Sequence, residues 1–197
     1  MDQSLQNQIA ACRICAERFA ATATAHQPRP IVWFQSSARV LVAGQAPGAR
    51  VHASGVPFTD PSGERLRGWM ELGEDGFYDR QRVAIVPMAF CFPGYNASGS
   101  DLPPPPICAR TWRVQVMASM PDLRLTLVVG SAAMRWHLGA GRVNDLVADW
   151  RRHAAQGVFA LPHPSWRNTA WLRRNPWFEA EVVPALRGAV RQAMEDI

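Results

Sequence analysis

The chain has 197 residues, 48% of them hydrophobic, which is enough for one domain with a full core and no disulfide support. Its 21 basic residues outnumber 16 acids to give +5, and all 21 are arginine; this hints at a polyanion partner, but abundant alanine and the spread of the arginines along the chain favour a GC-rich genome as their source. No apolar run is long enough to cross a bilayer, and Met1-Asp2-Gln3-Ser4 lacks the basic flank and apolar centre of a secretion signal. The expectation is therefore a soluble, cytoplasmic, monomeric protein forming one domain over residues 1–197, with no membrane partner.

Residues 1–20 read as a short helix with Leu5, Ile9 and Cys12 on one side, and 21–37 as an irregular connection. Arg39 to Ala43 is an apolar run ending at Gly44, the pattern of a strand buried on both faces. From Pro61 onward Leu66, Trp69, Met70 and Leu72 recur at helical spacing, with Ser62 as the expected cap. Arg82 to Val86 is the second strand. The stretch from Pro93 to Pro106 breaks any regular element. Cys108 to Met120 reads as helix, Leu123 to Gly130 as the third strand, Ser131 to Leu138 and Val143 to His153 as helices, Val158 to Leu161 as the fourth strand, and 176–194 as an amphipathic helix. Strands alternating with helices predict an α/β fold, a mostly parallel sheet covered on both faces, with its site at the carboxyl ends of the strands. Trp33, Trp69, Trp112, Trp136 and Trp150 are expected in the core.

Four cysteines stand as Cys12-x2-Cys15, then Cys91 and Cys108. Structural disulfides do not suit a cytoplasmic chain. Only the first pair has knuckle spacing, whereas a 4Fe-4S cluster takes one thiolate at each corner from whichever segment reaches it. Zinc and free buried thiols are the alternatives.

Two loops follow strands directly. Gly44-Gln45-Ala46-Pro47-Gly48 is a tight turn whose amides suit an anionic or carbonyl oxygen, and His163-Pro164-Ser165-Trp166-Arg167-Asn168 holds an imidazole at a strand end. With these residues the chain resembles the uracil-DNA glycosylase superfamily. Gly44 to Gly48 is similar to its motif A, Gly55-Val56-Pro57-Phe58 to its Gly-x-Pro-Phe segment and His163-Pro164-Ser165 to its motif B, while the cysteine spacing is similar to that of the iron–sulfur family-four branch. The resemblance implies a three-layer α/β/α sandwich around a central four-stranded sheet. It also implies flipping of uracil from single- or double-stranded DNA and hydrolysis of its N-glycosidic bond to leave an abasic site.

The reaction assigns roles to these residues. Uracil leaves as an anion, so His163 and the Gln45 amide are the expected donors, with Gly44, Ala46, Asn96 and the stacking ring of Phe58 around the base. The sugar becomes cationic, and Asp60 is the expected carboxylate for it and for the attacking water, although an Asp before Pro61-Ser62-Gly63 is equally a turn or cap residue. Ser165, Trp166, Arg167, Asn168, Arg173 and Arg174 lie in an aromatic, acid-free stretch suited to filling the gap in the base stack and neutralising phosphates. His52 is either a phosphate contact or a solvated loop residue.

Two positions depart from family four. Gln45 stands where that branch has Glu, so the negative charge must come from elsewhere. Pro87 stands four residues before Cys91, where that branch reads uracil with Asn. The departure leaves a differently specific protein, acting on hypoxanthine or xanthine, or a non-catalytic damaged-base binder as the alternative. The absence of lysine excludes Schiff-base lyase chemistry through a lysine amine, so the expected enzyme is a monofunctional N-glycosyl hydrolase.

Overall fold

The computed structural model describes residues 2–195. Its centre is a four-stranded sheet of β1 (Val40–Ala43), β2 (Val83–Ile85), β3 (Leu125–Val129) and β4 (Val158–Leu161), all parallel in the order β2-β1-β3-β4. Every residue of β1 and β2 is buried. An uninterrupted apolar strand exposes side chains to both faces, so it is stable only with helices on each side. Val42 sits beside Ile85 on one flank and Leu127 on the other, and Leu127 sits beside Phe159.

In chain order the helices are α1 (Asp2–Ala10), α2 (Ala16–Ala20), α3 (Ala49–Ser54), α4 (Pro61–Met70), α5 (Glu74–Tyr78), α6 (Pro106–Ala118), α7 (Ser131–Leu138), α8 (Val143–Ala148), α9 (Trp150–Ala154), α10 (Thr169–Arg174) and α11 (Val183–Met194). Helix α11 packs on β1, β3 and α4, α7 on β3, and α9 on β4, completing the three-layer α/β/α arrangement. No helix among the described residues is long and apolar enough to cross a membrane.

Several boundaries differ from the periodicity. The N-terminal helix stops at Ala10 after burying Ile9, and Cys12 and Cys15 occupy the turn before α2. The helix expected over 143–153 breaks at Asp149, and the terminal helix begins with a π-helical turn, Phe178–Val182, before α11. Short helices α3 and α5 were not anticipated, because five or six residues carry too little period to be read. Asp60, not Ser62, caps α4: its Oδ1 accepts from the Gly63 N–H at 3.1 Å. Trp136 is exposed rather than in the core.

One buried cation sits behind the carboxyl end of β2. The Arg113 guanidinium is 2% exposed and donates to the Val86 carbonyl at 2.7 Å and to His137 Nε2 at 2.6 Å. Burial and the adjacent charge push His137 down to about 4, so its ring is neutral and available as an acceptor. These bonds hold Val86 and Pro87 in place where the chain leaves the sheet.

Candidate active site

The first loop continues the sheet's pattern beyond its strands. Met88 and Ala89 donate their amides to the carbonyls of Gly44 and Gln45 at 2.9 and 3.1 Å, so the turn after β1 is pinned to the segment after β2. Gly44 is buried, with the Phe58 ring 3.7 Å and Pro87 4.0 Å from where its Cβ would stand. The Gln45 side chain packs on Gly130, whose Cβ would lie 3.1 Å from Gln45 Cδ; that close approach leaves glycine as the fitting residue at φ +84°.

Phe58 carries the least expected backbone of the site. Its φ of +55° lies in the left-handed region, which costs a non-glycine residue about 1–3 kcal/mol and persists only where neighbours over-determine it. Here they do. The Phe58 carbonyl accepts from the Tyr78 hydroxyl at 3.0 Å and from Arg67 at 3.3 Å, and its ring meets Phe77 edge-on at 6.1 Å. The half-buried ring packs on the edge of the core and also lines the cavity.

The second loop leaves β4 through buried Pro162 and is stiffened by buried Pro164. The Ser165 amide donates to His163 Nδ1 at 3.3 Å, so Nδ1 is an acceptor and the proton of the neutral ring sits on Nε2. Asn168 Nδ2 donates to the His163 carbonyl at 2.7 Å, and Arg65 of α4 donates to the Ser165 carbonyl at 3.0 Å. Burial lowers the His163 pKa, against the opposing pull of Asp60 and Asp101. The imidazole is therefore neutral at pH 7.

Gly44, Gln45, Ala46, Phe58, Asp60 and His163 converge on one cavity of about 140 Å³ at the carboxyl ends of β1 and β4, with Pro87 in its wall. Asp101 and Ser62 also line it. Sequence reading missed Asp101, whose loop has no periodic signal; its placement between the Pro/Gly turn and four prolines was the only hint. Asn96 is not part of the lining. It is exposed, and its Oδ1 accepts from the amides of Ser98 and Ser100 and from the Ser98 hydroxyl, which closes its own loop. Among the described residues no asparagine side chain lines the cavity.

Outside the cavity, Trp166 is 76% exposed on a short 3-10 turn, with the Arg167 guanidinium 5.9 Å from its ring centre. Arg173 and Arg174 are exposed at the end of α10. Trp171 and Trp177 instead pack against each other and Phe178. His52 packs edge-on to His26 at 5.1 Å and beside Phe92.

Cys12, Cys15, Cys91 and Cys108 line a second, apolar cavity with Ile9 and Trp112. The Phe90 amide donates to Cys108 Sγ at 3.4 Å. Burial and the neighbouring thiols push Cys91 up to about 12, and burial is the main cause that brings Cys108 to about 11. Among the described residues no set of three or more His, Cys, Asp or Glu converges closely enough to hold a single metal ion. Four thiols line this one apolar space and one sulfur accepts from a backbone amide, a donor set that suits thiolate ligation.

Residues 31–187 match the family model of the uracil DNA glycosylase superfamily. The match takes in both cavity loops, Asp101, Cys91 and Cys108, and begins after Cys12 and Cys15.

Proposed function

The chain belongs to the uracil DNA glycosylase superfamily, and from that premise we propose that it is a monofunctional uracil-DNA glycosylase that acts as a monomer, one domain spanning the chain. The observation that carries this reading is the convergence of His163, Asp60, Phe58 and the Gly44–Gly48 turn on one cavity. Uracil enters that cavity and stacks on Phe58. The C1′–N1 bond breaks with its electron pair going to the base, and His163 Nε2–H strengthens its hydrogen bond to the anionic oxygen as charge develops. Water bonds to C1′ and passes its proton to Asp60, whose second carboxylate oxygen is not used by the Gly63 cap. Arg67 and Tyr78, through the Phe58 carbonyl, hold the stacking platform.

Trp166 fills the space the flipped base leaves, with Arg167, Arg173 and Arg174 as phosphate contacts and Ser165 and Asn168 shaping the loop. With Pro87 in the cavity wall, the uracil edge is read by Ser62, Gln45 and the backbone of the first loop. The reading is tested by single-turnover cleavage of duplex and single-stranded oligonucleotides carrying uracil, hypoxanthine or xanthine. Alkali-labile sites are expected at uracil; cleavage only at hypoxanthine or xanthine moves the substrate, and binding without cleavage at any base overturns the enzyme. Asp60→Asn keeps a competent helix cap and removes only charge, so the rate is expected to fall about 100-fold with unchanged melting. Full activity would sink the assignment of Asp60.

Cys12, Cys15, Cys91 and Cys108 hold a 4Fe-4S cluster in this reading. The cluster supplies no step of the hydrolysis; it ties the turn between α1 and α2 to the loop at 91–108. Anaerobically purified protein is expected to be brown, with four irons and four sulfides per chain by the ligand count. Colourless protein with one zinc would replace the cluster by an ion.

A further inference from the structure

Two carboxylates face the cavity, and they are not equivalent. Asp60 is half-buried and one of its oxygens is committed to the Gly63 amide. Asp101 is exposed at the mouth, and its carboxylate makes no hydrogen bond or ion pair with any described residue. It is nonetheless held in place. Tyr95 and Asp101 form a bridge, Leu102 donates its amide to the Gly94 carbonyl at 2.9 Å, and Asn96 closes the turn between them. Gly94, at φ +92°, lies so close to Thr22 and Thr24 that a Cβ there would stand 2.7 and 2.8 Å from their hydroxyls. The loop is braced against the body of the protein, and an unbonded carboxylate is delivered to the cavity rim.

The charges of the reaction decide which part of the substrate such a group serves. A carboxylate beside the departing base opposes the negative charge growing there, whereas one beside the sugar stabilises a cation. DNA approaches from solvent, so a base inside the cavity leaves its sugar at the mouth, where Asp101 is. The cost is repulsion of phosphates in the ground state, and Arg167, the charge that acts most strongly on Asp101, offsets it from the neighbouring loop. A group that slightly weakens ground-state binding and strengthens the transition state raises the rate. Resting on the glycosylase reading, we propose that Asp101 is a second catalytic carboxylate, fixed at the mouth to stabilise the cationic deoxyribose while Asp60 directs the water. Asp101 neither gains nor loses a bond in the step.

The test uses two oligonucleotide duplexes without a base at the reacting position, one with a cationic pyrrolidine in place of the sugar and one with neutral tetrahydrofuran. The unaltered protein is expected to prefer the cationic duplex. In Asp101→Asn that preference is expected to fall about tenfold, the neutral duplex to bind as well or better, and the single-turnover rate to fall about tenfold. Asp101→Glu restores part of both. An unchanged preference in Asp101→Asn, or equal loss of affinity for both duplexes, overturns the proposal while wild-type cleavage stands. A wild-type protein that neither cleaves nor prefers the cation overturns the glycosylase reading itself and this inference with it.

Discussion

His163→Ala is expected to lower the single-turnover rate on uracil DNA by about 100- to 1,000-fold, the usual loss when one preorganised donor to a developing anion is removed. The expectation rests on a neutral ring with its proton on Nε2, because the Ser165 amide already occupies Nδ1. His163→Gln, which returns a donor with poorer placement, should recover part of the rate. Burial lowers the His163 pKa from the ordinary 6.5, so the rate is expected to hold through pH 6.5 and decline only below it, as protonation of Nδ1 breaks the Ser165 bond. Stability follows the same sign. The unfolded chain takes up this proton near 6.5 and the folded chain at lower pH, so His163 costs the fold stability as pH falls through that window and nothing above it. An unchanged rate in His163→Ala, or a rate that falls through pH 6.5 with the ordinary midpoint, would remove His163 from the reaction.

Gly63→Ala is expected to be the most damaging glycine-to-alanine change among the described residues. The added Cβ would stand 1.8 Å from the Phe58 carbonyl oxygen and 2.7 Å from its carbon. Neither side can yield: the Phe58 carbonyl is held by Tyr78 and Arg67, its φ is already in the left-handed region, and the Gly63 amide is taken by Asp60. A loss of about 3 kcal/mol or more is expected, beyond ordinary overpacking because the clash is with backbone, and residual folded protein should have lost most of its activity. Gly68→Ala, one and a half turns along the same helix, meets nothing within 4 Å and is expected to stabilise by up to about 1 kcal/mol. Thermal melts of the two variants side by side give the comparison; a Gly63→Ala protein as stable and active as the wild type would show that the approach of α4 to Phe58 has no such consequence.

Gly63 also illustrates what periodicity leaves out. Leu66, Trp69 and Met70 place α4 correctly because their spacing is a local property, but Gly63 and Asp60 carry no period. Ser62 was the more obvious cap, and Asp60 takes that place while also facing the cavity. Asp60 both caps α4 and lines the cavity, because the Gly63 amide takes only one of its two carboxylate oxygens. The strands were legible for the same local reason: apolar runs such as Val40 to Ala43 have no polar face to offer solvent. Asn96 and Asp101 show the converse. They are five residues apart in a loop rich in Gly and Pro, and by sequence Asn96, like Asn168, is a candidate amide for reading the base. In the structure the Asn96 side-chain oxygen accepts from the Ser98 and Ser100 amides outside the cavity, and the carboxylate of Asp101 reaches the cavity.

By itself the sequence determined the alternation of buried strands and helices, the two loops that follow β1 and β4, and the absence of any lysine amine for imine chemistry. Each of these is decided within a few residues, by hydrophobic spacing, by Gly and Pro, or by composition. Tertiary structure alone decided which side chains share the cavity, that Nδ1 of His163 is occupied, that Phe58 is forced into a left-handed backbone, and that four cysteines spread over almost a hundred positions line one apolar space. These depend on contacts between segments far apart in the chain, and such contacts exist only once the parallel sheet has brought the ends of its strands together.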